Sequence, residues 1–248
     1  MKEMALVDHL DELRKRLIYI VLIVFVTFFV CYGYGSEIQE FLLKPLRSAL
    51  SENDKVVFSG LLEKVLAQFQ LAFWTSIIAS SPLTFFQIWR FIKPGLYDHE
   101  VKVVRPLLFL AFLFFAAGVG FGYFIVFPFT FETMLTFGEV QAEAYMNLKD
   151  YLVLSTKILI FLGIVFQLPI VLIVIGAMGI VNSKKLISFS RYVIVGFAVL
   201  SAMLTPPDPI TMLALMLPLI FLYFVGVLLV FLFIDPFQKK REKELETT

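Results

Sequence analysis

The sequence predicts an all-α integral membrane protein with six transmembrane helices and both termini in the cytoplasm. Of its 248 residues, 60% are hydrophobic and only 17% are charged, whereas a soluble domain carries about 25% charged residues. The 29 phenylalanines are spread over several long apolar runs, so the chain is not a soluble domain with one anchor. Lys and Arg cluster in alternate connections between those runs. We therefore expect residues 1–248 to form a single membrane domain.

Five apolar runs have about twenty residues, the length of helix that crosses a bilayer. They are Leu17–Tyr34, Val65–Phe86, Leu107–Phe127, Ile158–Met178 and Met212–Ile234. The run Tyr192–Leu204 has only thirteen residues, about 20 Å of helix, and it ends at prolines that no helix can cross. We therefore predict a six-span bundle over residues 17–234 with short spans five and six, the fifth too short to cross an undeformed bilayer.

Three of these spans contain an interior proline, namely Pro82, Pro169 and Pro218. Each proline frees backbone groups that only protein or water can satisfy at that depth, which predicts kinked helices in a concave bundle. No Asp, Glu, Lys or Arg lies well inside a predicted span, and the polar residues at depth, such as Gln167 and Ser201, are amides and hydroxyls. That pattern argues against an ion-coupled or proton-coupled transporter.

The distribution of positive charge predicts the orientation. Fifteen of the 21 Lys and Arg residues fall in the amino-terminal segment, the second and fourth connections and the tail. Because Lys and Arg concentrate on the cytoplasmic side, we expect both termini there. Residues 1–16 are predicted to form a cytoplasmic amphipathic helix and residues 235–248 a charged cytoplasmic tail. The net charge of +1 argues against a nucleic-acid partner.

The amino-terminal helix is predicted by leucines that share one face. Four of them recur at the spacing of an amphipathic helix, namely Leu6, Leu10, Leu13 and Leu17. Glu12 lies on the other side, four residues before Arg16, and an ion pair between the two would contribute about 0.2–0.5 kcal/mol. The residues alone leave open whether Glu12 has that structural role or binds a ligand.

Two further predictions concern helix ends in the connections. Ser36–Gln39 has the spacing of a capping box, so we expect a short helix on the membrane surface that ends at Pro45. Asp208 followed by Pro209 fits an N-cap with proline at the first helical position, where span six starts. Pro45 and Asp208 are therefore interpreted first as structural residues.

The connection "FIKPGLYDHE", Phe91–Glu100, carries more chemistry than a tether requires. Asp98 could cap the third span and Glu100 could favour the positive end of that helix, while the aromatic residues could form an interfacial belt. A ligand-binding site is the equal alternative. Two lone histidines, a single cysteine and the lack of any phosphate-binding loop or nucleophile motif predict no metal site, no cofactor and no enzyme activity.

Four stretches of the sequence carry a family resemblance. In chain order they are "HLDELRKRL" (His9–Leu17), "FIKPGLYDHE" (Phe91–Glu100), "YFIVFPFTF" (Tyr123–Phe131) and "LTPPDPIT" (Leu204–Thr211). Together they resemble TatC, the largest subunit of the twin-arginine protein translocase, over nearly the whole chain. The resemblance implies a receptor that binds the twin-arginine signal peptides of folded cargo proteins and nucleates a translocase driven by the proton-motive force.

The resemblance also implies partners and a location. Besides signal peptides, the partners would be single-span TatA-like and TatB-like subunits, further copies of this chain in the complex and the lipid membrane, with no nucleic acid. The chain would be a multi-pass protein of a bacterial or archaeal cytoplasmic (inner) membrane.

The binding acids of the family fall on Glu12 and Glu100. Because Arg prefers a planar, bidentate contact with carboxylate that Lys cannot reproduce, such acids would select arginine over lysine in a signal peptide. We expect the other signal-peptide contacts from residues of the same two motifs, namely His9, Leu10, Arg14, Phe91, Pro94, Leu96 and Tyr97.

Gln167 departs from the family, which often has an acid in this phenylalanine-acid-x-proline setting. An amide can hydrogen-bond a peptide or a water, or satisfy backbone freed by Pro169, but it cannot carry charge. For the fifth span we expect either a thinned bilayer or a docked partner helix, with Ser201 as one contact. A small-molecule secondary transporter and a membrane scaffold without a ligand are the alternative functions.

Overall fold

The computed structural model describes residues 6–50, 55–58, 60–92, 107–136, 145–204 and 209–236. Its helices are α1 (Leu6–Gly33), α2 (Gly35–Ala49), α3 (Leu61–Ala79), α4 (Ser81–Ile92), α5 (Leu107–Phe121), α6 (Phe127–Thr136), α7 (Leu148–Val165), α8 (Leu168–Ala177), α9 (Ser183–Leu204) and α10 (Pro209–Leu229). Wider helical turns extend α5 through Gly122–Val126 and α10 through Val230–Ile234. The cap predicted at Asp208 lies outside the described residues.

The described helices confirm an all-α membrane architecture. Five helical stretches are long and apolar enough to cross a membrane. A sixth crossing follows if α3 and α4, which meet at a bend of 53°, form one broken span.

Two of the three predicted prolines interrupt the helices. Pro82 is the second residue of α4, directly after the break at Ser80 that separates α4 from α3. Pro169 is the second residue of α8 and follows a break at Gln167. Because proline lacks an N–H, it is tolerated in the first turn of a helix, where that donor would be unused. Pro218 instead lies inside α10.

The fifth span is longer than its apolar part predicts. α9 has 22 residues, about 33 Å of helix at 1.5 Å per residue, because the polar segment Ser183–Arg191 forms its first turns. Asn182 helps to start it, since its Oδ1 accepts a hydrogen bond from the Lys185 N–H at 2.9 Å. The sixth span, Pro209–Ile234, has 26 residues. The prediction of two short spans, with a fifth too short to cross a bilayer, is therefore wrong.

Lys157 belongs to a spanning helix that the sequence predicted to begin one residue later. The fourth span runs from Leu148 to Ala177 and begins well before the predicted start at Ile158, so Lys157 falls in its first third. The Lys157 side chain is exposed, and its Nζ lies 5.4 Å from the centre of the Trp74 ring. A Lys stem can cover apolar surface while its cation meets an aromatic face, which accommodates the charge here.

The helix after the first span does not start with the predicted capping box. Tyr34 is the N-cap of α2, and its side chain makes no capping hydrogen bond. The Ser36 hydroxyl instead donates to Glu37 Oε2 at 2.9 Å, and bonds from the Glu37 backbone N–H and then from Ser36 hold the pKa of Glu37 below its usual range. Backbone bonds run across the junction, from Tyr34 N–H to the Val30 carbonyl and from Ile38 N–H to the Tyr34 carbonyl, so no side-chain cap is required.

α2 also continues past Pro45, so the prediction that this helix ends there is wrong. Proline cannot donate to the carbonyl four residues earlier, which belongs to Phe41. The Tyr123 hydroxyl donates to that carbonyl instead, at 2.7 Å, and the Tyr151 hydroxyl donates to the carbonyl of Leu42 at 2.6 Å. We refer to these five residues as the proline cluster.

Leu42, Tyr123 and Tyr151 of the proline cluster belong to a buried hydrophobic core, whereas Phe41 lies at its edge and is 49% exposed. The rings of Phe41 and Tyr123 stack with their centroids 4.3 Å apart. Other core side chains come from α2 and α7 themselves and from α3 and α6, and are Leu43, Leu46, Leu71, Phe127, Leu148, Leu152 and Leu159. A tyrosine each from the third and fourth spans therefore fixes α2 on the helices beneath it.

Two short strands add an element that the sequence did not predict. β1 (Lys55–Val57) pairs in parallel with β2 (Tyr145–Asn147), with Val56 opposite Met146. The Asn147 amide donates to Glu63 Oε1 at 2.7 Å, and its Oδ1 accepts from the Lys149 N–H at 2.9 Å. The strand pair thus joins the start of α3 to the start of α7.

The chain divides into two compact units. The first consists of Met1–Gly95 and Phe115–Gly163, and the second of Leu96–Phe114 and Ile164–Thr248. Two of the dividing points fall inside spanning helices, one in α5 and one in α7. The proline cluster belongs to the first unit.

Candidate functional site

The amino-terminal polar segment and the first span are one helix. α1 runs without a break from Leu6 to Gly33, so the residues of HLDELRKRL stand directly on the membrane-spanning part. Within the predicted leucine stripe, Leu10 is 63% exposed and Leu17 is 52% exposed. Apolar surface is therefore available on α1 beside its charged residues.

The structure brings the two predicted motifs together at their described ends. α1 packs against α4, and the rings of His9 and Phe91 stack with centroids 4.6 Å apart and planes at 19°. His9 and Phe91 are therefore neighbours, as a shared site requires. The remaining predicted contacts of the connection lie outside the described residues: Pro94, Leu96, Tyr97 and Glu100.

Glu12 forms the ion pair with Arg16 that one of its two interpretations predicted. Arg16 Nη2 lies 3.1 Å from Glu12 Oε1, and Arg16 Nη1 donates to Gln87 Oε1 at 3.3 Å. The side chains of Arg16 and Glu12 are 15% and 21% exposed, so the pair is partly shielded. Gln87 belongs to α4, and Arg16 therefore links the Glu12 carboxylate to both helices.

These side chains border an open cavity of about 690 Å³. Its lining residues are Asp11, Glu12, Lys15, Arg16, Tyr19, Gln87 and Arg90. We refer to this feature as the charged cavity. Its volume is within the range of about 300–1,000 Å³ typical of ligand sites, and it carries two carboxylates and three cations.

Several cavity residues were missed by sequence reasoning. Gln87 stands one turn before Phe91 on α4, and this four-residue spacing on one helix face is the signal that could have identified it. Tyr19 lies inside the first predicted span and Arg90 in the predicted connection after the second, and neither was proposed as a site residue. Arg14, which was predicted to contact the signal peptide, is exposed and is not among the residues that line the charged cavity.

Gln167 has a structural partner in the second unit. Its Nε2 donates to the backbone carbonyl of Ala111 at 2.8 Å. The amide therefore joins the break before α8 to α5, and it does not serve backbone freed by Pro169 as one interpretation had it. A neutral side chain is sufficient for this bond.

Ser201, predicted as a partner contact, faces its own chain. Its side chain is fully buried where α9 packs against α10. A partner helix on the surface of α9 would instead meet exposed apolar residues such as Val195, Val199 and Met203. Ser201 is therefore turned toward α10, and its contact with a partner helix stays a prediction.

Known proteins match this chain over most of its length. The family profile of the Sec-independent protein translocase protein TatC matches residues 8–218. The TatC protein of Desulforapulum autotrophicum is 36% identical over 221 residues, which cover 89% of this chain and 82% of that protein. The TatC protein of Helicobacter pylori strain J99 is 32% identical over 238 residues, which cover 96% and 93%.

Solved structures match as well. A crystal structure of the twin arginine translocase receptor TatC in DDM superposes with a TM-score of 0.80 at 31% identity, covering 90% of this chain and 99% of that one. A second crystal structure of this receptor gives a TM-score of 0.77 at 31% identity, covering 89% and 97%. The chain is therefore a multi-pass membrane protein that belongs to the TatC family. Members of this family are components of the Sec-independent, twin-arginine protein translocase.

Proposed function

We propose that this chain is the signal-peptide receptor of its translocase and binds the paired arginines of a cargo signal peptide at the charged cavity. The observation that carries the proposal is the position of Glu12. Its carboxylate lines an open cavity one turn from His9, whose ring stacks on Phe91 of the second motif.

The chemistry of Glu12 suits a guanidinium ligand. Arg16 contacts only Oε1 of Glu12, so Oε2 can accept N–H groups from an incoming arginine. A planar guanidinium can bridge both carboxylate oxygens, whereas an ammonium offers a single point of charge. Glu12 would therefore favour arginine over lysine, with Glu100 as the proposed second acid.

Charge alone cannot hold the peptide, because one exposed ion pair contributes only about 0–1 kcal/mol. The apolar stretch of a signal peptide would supply the remainder by covering exposed leucines of α1. Leu10 is 63% exposed and lies before the predicted first span, and burying such a leucine away from water contributes about 1.5–3 kcal/mol. Receptor binding then combines a selective polar contact with a larger, unselective apolar one.

The proposed setting follows from the spans and the charge distribution. Six crossings, counting α3 and α4 as one, return the chain to its starting side, and the surplus of Lys and Arg there favours the cytoplasm. The membrane would be a bacterial or archaeal cytoplasmic membrane. Single-span TatA-like and TatB-like subunits and further copies of this chain would assemble around it, with transport driven by the proton-motive force.

The test is binding of a fluorescent twin-arginine signal peptide to the purified protein in nanodiscs. A twin-lysine peptide serves as the ligand control. Glu12→Gln removes the proposed acceptor, and Glu40→Gln, at an exposed position on α2, is the matched loss of one acid. We expect the wild type and Glu40→Gln to prefer arginine, and Glu12→Gln to bind both peptides equally and on the order of tenfold more weakly than wild type binds arginine.

If Glu12→Gln keeps the full preference for twin arginine, recognition does not depend on the charged cavity and the proposed receptor site is wrong.

A further inference from the structure

The charged cavity contains more positive charge than an arginine receptor needs. Lys15, Arg16 and Arg90 line it together with Asp11 and Glu12, so its described lining has one more cation than acids. A ligand with two guanidinium groups is repelled by those cations. Lys15, Arg16 and Arg90, the basic half of the cavity, would therefore suit an anionic partner better than an arginine.

Two of the three cations have no acidic partner among the described residues. The ion pair found there joins Arg16 to Glu12. Lys15 is exposed, and Arg90 is also exposed, with its guanidinium carbon 5.9 Å from the centre of the Phe86 ring. Both cations are therefore available to an anion that enters the cavity.

The cations stand where polar and apolar surface meet. Lys15 and Arg16 form the last charged turn of α1, and Leu17, Ile18 and Tyr19, which follow at once, are each about half exposed. Arg90 lies near the end of α4, with exposed Phe86 one turn earlier on the same helix. Cations in this position lie at the depth of phospholipid headgroups, and basic pockets between membrane helices bind such headgroups.

We propose that the charged cavity binds the phosphate of a phospholipid headgroup through Lys15 and Arg90. The glycerol end would enter beside Tyr19, which lines the cavity. The acyl chains would follow the exposed face of α1 that continues through Leu22 and Val26, which are 52% and 63% exposed. One lipid would thus occupy both the basic half of the cavity and the apolar surface next to it.

A bound phosphate would also affect how strongly Asp11 and Glu12, the acidic half of the cavity, attract a cationic ligand. It neutralises positive charge close to Glu12 and so weakens the repulsion of a cationic ligand. The lipid site itself does not depend on the signal-peptide role, because its evidence is the unpaired cations and their position. It can therefore be tested without any peptide.

The experiment measures lipid binding to the purified full-length protein by native mass spectrometry. Phosphatidylglycerol, phosphatidylethanolamine and phosphatidylcholine with identical acyl chains are titrated in separate arms. Inorganic phosphate is added as a competitor in a fourth arm. Lys15→Gln/Arg90→Gln is compared with Lys184→Gln/Lys185→Gln, which removes two exposed cations at the start of α9, on the same side of the membrane if six spans are counted.

We expect phosphatidylglycerol to bind wild type and the α9 control equally, and the cavity variant on the order of thirtyfold more weakly. Thermal unfolding in detergent should be the same for both variants, which separates lost binding from lost folding. Equal sensitivity of all three lipids to the cavity variant also supports the site and identifies the phosphate as the recognised group.

Two results would overturn the proposal. One is equal binding of phosphatidylglycerol by the cavity variant and the α9 control. The other is displacement of the lipid by millimolar inorganic phosphate, which would make the cavity a site for free anions.

Discussion

The proline cluster and the charged cavity lie in the same compact unit, yet they are built from opposite kinds of interaction. The proline cluster uses neutral hydrogen bonds from tyrosine hydroxyls that are buried, with Tyr123 and Tyr151 both below one tenth exposed. The charged cavity uses side chains at the surface, and its ion pair is 15% and 21% exposed. The first arrangement stabilises a fold, whereas the second leaves its groups available to a partner.

Because of this difference, substitutions at the two places should lower the free energy of unfolding by different amounts. A carbonyl in a partly buried position that loses its donor costs up to about 1–3 kcal/mol, because water replaces the lost bond only incompletely. An exposed i,i+4 ion pair contributes only about 0.2–0.5 kcal/mol. Substitutions in the proline cluster should therefore affect stability, and substitutions in the charged cavity should affect binding.

Tyr123→Phe should give the largest loss of stability. It keeps the stacked ring but removes the donor to the Phe41 carbonyl, which Pro45 cannot serve. We expect destabilisation by about 1–3 kcal/mol, measured by thermal unfolding in detergent. Tyr34→Phe is the control, since Tyr34 is 61% exposed; equal unfolding temperatures for the two variants would contradict this account.

A double-mutant cycle tests whether Tyr123 compensates for the N–H that Pro45 lacks. Pro45→Ala supplies a backbone N–H at position 45 that can bond the Phe41 carbonyl. In that background Tyr123→Phe should cost roughly 1 kcal/mol less than in the wild type. Strictly additive effects would mean that Tyr123 does not compensate for the proline.

Glu12→Gln should give the smallest change in stability. The lost attraction to Arg16 is worth at most about 0.5 kcal/mol, so the unfolding temperature should stay close to wild type while signal-peptide binding falls. Raising the salt concentration should weaken peptide binding in the wild type without lowering its unfolding temperature, because exposed charges are screened. A loss of stability as large as that of Tyr123→Phe would show that the charged cavity holds the fold together.

The sequence predicted the parts of this molecule that depend on local pattern. Apolar runs located the spans. Pro82 and Pro169 located breaks, because proline lacks the backbone N–H that a helix interior needs, whatever its neighbours are. The resemblance brought HLDELRKRL and FIKPGLYDHE to one site, and the contact of His9 with Phe91 agrees with it.

The features that were missed depend on partners far away in the chain. α2 continues past Pro45 because Tyr123, 82 residues from its acceptor, supplies the missing hydrogen bond, and Tyr151, 109 residues from its acceptor, adds another. The pairing of β1 with β2 depends likewise on distant residues. Gln87 enters the site because Arg16, 71 residues earlier, reaches it, and no local pattern contains that information.

The most direct test of a receptor site at the charged cavity is photocrosslinking from its lining to a twin-arginine signal peptide. A photoreactive phenylalanine derivative replaces Tyr19, which lines the cavity, or Tyr34, which is similarly exposed at the other end of α1. We expect a crosslinked product from position 19 that is lost with a twin-lysine peptide, and none from position 34. Equal capture from both positions, or capture from position 34 alone, would contradict a receptor site at the charged cavity.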